Sequence, residues 1–189
     1  MPLEITFTLS DRDLEQLREI VIEARERKQE KKTPEEIEVA ARALIQEAQK
    51  DELPEFVLAR MKKLDVVMDM INDEEWQLED AERHQVFGAL SYLCDPEGLI
   101  PDHIPGLGFL DDAIYVEVVV RELHNEISLY EEFCEFRHAE EAKRETRGEN
   151  IKVGREEWLA EKRVALHAAM RKRRSLAEVT GEWRSRLWD

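Results

Sequence analysis

The chain has 189 residues, 44 acidic and 28 basic, for a formal net charge of -16. Taken as a whole, that balance repels nucleic acid and anionic lipid. Glycine (7) and proline (6) are scarce and 38% of residues are charged, which argues against a turn-rich β sandwich and for helices with solvated faces. The expected class is all-α, a bundle of about six or seven helices. One helical core domain is expected over residues 1–138, with a C-terminal helical extension over 139–189.

The charge is uneven. Residues 1–136 carry a net -20 and residues 137–189 a net +4, so the tail opposes the body in sign. Cys94 and Cys134 sit in apolar helical patterns without C-x-x-C spacing and read as reduced core thiols. The first residues show neither a basic n-region nor a signal-type apolar run. No stretch approaches the roughly 18 uninterrupted apolar residues of a membrane span. The cytoplasm is the expected compartment, with no membrane partner.

Leu3 to Leu9 alternates strictly, with Leu3, Ile5, Phe7 and Leu9 on one side, the pattern of a half-buried strand. A lone strand needs a partner, so an arm pairing with a second copy, making a homodimer, or lying on helices is expected. Ser10 is a natural N-cap for a first helix reaching about Lys31, with Leu14, Leu17, Val21 and Ala24 as its stripe. Thr33-Pro34-Glu35-Glu36 combines an N-cap, a proline at the first helical position and a capping-box glutamate. The stripe Ile37, Ala40, Ala41, Leu44, Ile45, Ala48 follows.

Pro54 opens a third helix with the seam Val57, Met61, Leu64, Met68, Ile71, its methionines read as core filler. Asp73 is expected to cap a fourth helix from about Glu74 to Cys94, with Trp76, Ala81, Phe87, Leu90 and Cys94 as its apolar positions, and Asp95-Pro96 ends it. Asp95 to Leu110 is a long Pro/Gly-rich connection whose apolar side chains, Leu99, Ile100, Ile104, Leu107, Phe109 and Leu110, call for burial. Burying them is worth on the order of 10 kcal/mol before entropy is subtracted. A fifth helix is expected from about Asp112 to His138, with Val116, Val119, Val120, Leu123, Ile127, Tyr130 and Cys134 on one face. Glu140 to Asn150 reads as a polar link broken by Gly148 and Asn150, followed by helices over about Arg155 to Arg174 and Ser175 to Leu187.

From Gly88 to Leu123 the chain reads GALSYLCDPEGLIPDHIPGLGFLDDAIYVEVVVREL. This resembles the signature of the YkvA-like family, a helix ending A-L-x-Y-L, then P-x-D-L-I-P-D-x-I-P-x-L-G-x-L-D-D-A and a second apolar helix. The resemblance implies a helical hairpin with an ordered Pro/Gly linker, in a family without an established activity. It marks Pro96, Leu99, Ile100, Pro101, Asp102, Ile104, Pro105, Gly108, Asp111 and Asp112 as motif residues, read here as structural. One position departs: Gly98 stands where the family pattern has its first Asp.

Asp102, Asp111 and Asp112, with Glu97 and His103 nearby, are the acidic group set in a shaped loop, and Mg²⁺ or Ca²⁺ binds where several oxygens converge. The structural alternative has Asp111 or Asp112 capping the fifth helix and Asp102 holding a turn. Glu135 and His138 have E-x-x-H spacing, but the second copy that a di-iron bundle requires is missing. His84, His124 and His167 stand alone on helices and form no zinc set. Phosphate-loop, dinucleotide and nucleophile-elbow motifs are lacking, and no catalytic residue is assigned. The run Arg171-Lys172-Arg173-Arg174 is expected to be solvated or paired within the chain, since net charge opposes nucleic acid. Function is expected to be that of an interaction or scaffold module with a protein partner. The rival is a metal-dependent enzyme using Asp102, Asp111 and Asp112.

Overall fold

The computed structural model describes residues 10–13, 16, 19, 33–49, 53–91 and 109–180, with side chains as far as 175. The expected strand Leu3–Leu9 with its dimer arm, the body of the first helix, Cys94, the connection over 92–108 and residues 181–189 lie outside the described residues. The described residues build an all-α fold: α1 (Pro34–Ala48), α2 (Glu55–Asn72), α3 (Asp80–Leu90), α4 (Leu110–Glu122), α5 (His124–Thr146) and α6 (Arg155–Thr180).

Local chemistry explains several starts and stops. Ser10 receives the Asp13 amide while Asp13 receives the Ser10 amide, a reciprocal cap that opens a helical turn. Thr33 and Glu36 form the same box ahead of Pro34, so α1 begins where its sequence predicts. At the far end of α5, Gly148 adopts φ 68°, its amide bonds the Glu145 carbonyl, and the Glu149 amide reaches back to Arg144. That is a Schellman ending, which needs the left-handed conformation glycine adopts freely.

The central helix is α2, which packs against α1, α4 and α5. Its seam Val57, Met61, Leu64, Met68 and Ile71 is buried as the spacing predicts, and Val67 and Met70 join it. Polar ties fix the neighbours: Asn72 donates to Glu38 of α1, Arg60 pairs with Glu117 of α4 and Lys63 with Glu131 of α5. Tyr115 on α4 donates its buried hydroxyl to the Ala89 carbonyl at the end of α3.

Four boundaries differ from expectation. Asp73 caps no helix: its Oδ1 accepts the amides of Glu75 and Trp76, closing a turn, and α3 starts only at Asp80 behind a Glu79–Glu82 capping box. The expected fifth helix breaks at Leu123 (φ -89°, ψ 15°) into α4 and α5. Leu123 is itself buried on the stripe, so apolar spacing continues across the break and conceals it. Beyond His138, α5 continues to Thr146, and a single α6 crosses the expected junction at Ser175, whose hydroxyl bonds the Lys172 carbonyl inside the helix.

Candidate functional site

The turn over 73–79 carries a dense polar network. It leaves α2 at Asp73, passes Gln77 in a left-handed conformation (φ 53°) and enters α3. Asp73 uses both oxygens, since Oδ2 accepts the Tyr130 hydroxyl at 3.1 Å and the Arg137 guanidinium at 2.8 Å. The Arg137 and Asp73 side chains are only 16% and 10% exposed, so this pair is shielded from screening by solvent. Asp69, Asn72, Asp73, Tyr130 and Arg137 line an open recess of about 380 Å³ beside it.

Glu75 accepts from Arg137 on α5 and from Arg155 on α6. Chiefly through the Arg155 hydrogen bond, its carboxyl lies below the usual range. Arg163 donates to the Glu75 main-chain carbonyl at 2.7 Å, and Arg171 pairs with Glu79 at 2.7 Å. The turn is thus held by both α5 and α6.

Its apolar centre is Trp76, with no exposed surface. The indole packs on Tyr130 (5.7 Å between centroids), Phe133 (5.1 Å) and His167 (4.3 Å). Trp76 was legible as an apolar position; its place in a turn was not. Against this centre α6 contributes buried Leu159, Leu166 and Met170. Along its length run basic contacts: Arg155 with Glu141, Lys162 with Glu132, Arg174 with Glu126. These pairs run in opposite senses along the two helices, so α5 and α6 form an antiparallel hairpin joined over 147–154. Arg171 and Arg174 of the basic run are therefore paired within the chain, while Lys172 and Arg173 are exposed.

Asp111 and Asp112 occupy the second and third positions of α4 and are half-buried, whereas its N-cap is Phe109. Neither is the N-cap residue, and both favour the helix's N-terminal dipole. As consecutive helical residues they diverge by about 100°. Asp102, with Pro96, Leu99, Ile100, Pro101, Ile104, Pro105 and Gly108, lies outside the described residues. Glu135 and His138 are both exposed, and among the described residues no three His, Cys, Asp or Glu gather as a metal site would require. His84 and His124 are exposed, His167 is buried, and Cys134 is a half-buried free thiol that burial pushes above its ordinary range. No described helix is long and apolar enough to cross a membrane.

Residues 84–117 match a family model described as a protein of unknown function (DUF1232), in agreement with the resemblance read from the motif. That stretch takes in the latter part of α3, the connection over 92–108 and the first part of α4. Trp76, Glu75, Tyr130, Arg137 and His167 fall outside it. No curated protein and no solved structure matches the chain.

Proposed function

We propose that this chain is an interaction module whose working surface is the acidic, aromatic-floored seat formed by the 73–79 turn and α5, a surface suited to a basic amphipathic helix. In the folded chain α6 occupies it. One observation carries the proposal: α6 is basic and amphipathic, and its Arg155, Lys162, Arg163, Arg171 and Arg174 each meet an acidic side chain or the Glu75 carbonyl across the contact. Charged partners of this kind set register and partner choice more than raw affinity. The seat's chemistry therefore defines the partner: a helix with an apolar stripe for Trp76 and Phe133, flanked by arginines. Cys134, free and unpaired, suits a reducing compartment, and we place the protein in the cytoplasm.

The test uses a labelled peptide with the sequence of residues 155–180 and two forms of the full chain. In the variant Arg155→Glu/Arg171→Glu, α6 loses its pairs with Glu75, Glu141 and Glu79 and vacates the seat. Saturable, salt-sensitive binding of the peptide to this variant is expected, with markedly weaker binding to the unmodified chain. There the tethered helix competes at an effective concentration of about millimolar. Absence of binding to the variant at low salt would remove the proposal.

A further inference from the structure

Where α6 crosses the start of α3, two titratable side chains are buried against each other. Glu82 is 2% and His167 5% exposed, and Glu82 Oε2 lies 3.9 Å from His167 Nδ1. Glu82 Oε2 also accepts the Glu79 amide in the α3 capping box. Glu82 Oε1, His167 Nε2 and the indole Nε1 of Trp76 are buried without a hydrogen-bond partner. Buried polar groups are almost always bonded, and an orphan is costly. Here the orphans share a single contact, with Trp76 and His167 rings 4.3 Å apart, and that contact joins elements that separate if α6 lifts.

The surrounding charges are already committed. From α6, Arg171 is paired with Glu79 of the turn, Arg174 with Glu126 of α5, and Arg163 with Glu156 and the Glu75 carbonyl. A Glu82 carboxylate facing a neutral imidazole would therefore be a buried negative charge lacking an undivided partner, an arrangement that proteins relieve by taking up a proton.

We infer that α6 docks with the Glu82–His167 pair holding one proton taken from solvent, so that the helix is released progressively as pH rises above about 6.5. This rests on the proposed docking of α6 and names its regulation. Burial, with the Glu79 charge, raises the carboxyl of Glu82 against the Glu79 amide, Arg174 and Arg171; burial lowers the imidazole of His167, with Arg171 and Arg163 acting the same way and Glu79 and a main-chain hydrogen bond with Trp76 opposing. Raised Glu82 contributes docking stability that is complete below its free value of 4.5 and lost as pH climbs through its docked value. Lowered His167 contributes stability that is complete above 6.5 and lost as pH falls below it. Between those two free values the contributions oppose each other. Above 6.5 only the loss from Glu82 remains. Above that value the docking constant falls with pH until the docked pair too has released its proton, by at most about tenfold per pH unit.

Amide hydrogen exchange on the full chain between pH 6 and 8.5, corrected for intrinsic rates, reads this directly. Protection of the 155–175 amides is expected to fall with pH above 6.5, by at most about tenfold per pH unit, while that of α2 stays constant. Glu82→Gln is permanently neutral and keeps the acceptor for the Glu79 amide, so its α6 protection should be flat with pH. Flat protection in the unmodified chain would overturn the inference, as would an unchanged slope in Glu82→Gln, or loss of α6 and α2 protection together. The peptide titration proceeds at one pH on charge-reversed protein, so failure there and failure here are separate results.

Discussion

The guanidinium of Arg163 donates to the main-chain carbonyl of Glu75 at 2.7 Å, which pins the C-terminal helix to the backbone of the turn that carries Trp76. A side-chain pair could persist while the turn shifted; a bond to main chain cannot. It ties the helix to the geometry of residues 73–79, and the stability of either should depend on the other.

Trp76→Ala removes a fully buried indole from contact with Tyr130, Phe133 and His167. Truncating a buried tryptophan typically costs about 3–5 kcal/mol. Urea unfolding followed by circular dichroism should show a loss of that order, whereas His84→Ala, at an exposed position, should leave the midpoint nearly unchanged.

Glu75 bonds Arg155 and Arg137, and the Arg155 bond does most to hold its carboxyl below the usual range. A depressed carboxyl contributes stability that is present above its unfolded value of 4.5 and lost as pH falls through its folded value. Thermal melts from pH 6 to 3 should show Glu75→Gln losing less stability on acidification than the unmodified chain, by on the order of 1 kcal/mol after screening. Parallel curves would mean that these pairs contribute nothing to the fold.

Burial pushes the Cys134 thiol upward, against the Tyr130 hydrogen bond and the Arg137 charge. The thiolate is the reactive form, so iodoacetamide at pH 7.5 should label Cys134 slowly in the native chain and rapidly in urea. Peptide mapping by mass spectrometry separates it from Cys94. Fast native labelling would identify an activated thiol instead.

Asp111 and Asp112 diverge on α4 and favour its N-terminus. Melting temperatures in Mg²⁺, Mn²⁺ and Ca²⁺ are therefore expected to match the metal-free value. A ligand that binds only the native state must raise the melting temperature, so a saturable rise abolished by Asp102→Asn would establish the metal-dependent alternative.

What was legible in the sequence follows from how local each signal is. The Thr33–Glu36 cap and the Val57-to-Ile71 seam depend on residues a few positions apart, and both are found where they were expected. The break at Leu123 was hidden because the residue that interrupts the helix also serves the core. Asp73 and Trp76 resembled a helix start because a cap and an apolar position also build a tight turn; the left-handed Gln77 that decides between them carries no glycine to announce it. The Glu82–His167 contact joins residues far apart in the chain, and no periodicity encodes it. The one forward signal for the seat was electrical: an amphipathic tail of net +4 on a body of net -20 needs an acidic surface, and the nearest belongs to its own chain.

The most direct test of a separable α6 is amide exchange mapped on Arg155→Glu/Arg171→Glu at constant pH. If the helix closes a seat on an otherwise complete core, protection should fall over residues 73–79 and along the α6-facing side of α5, while α1 and α2 keep theirs. Uniform loss of protection across the described helices, or none over residues 73–79, would contradict it.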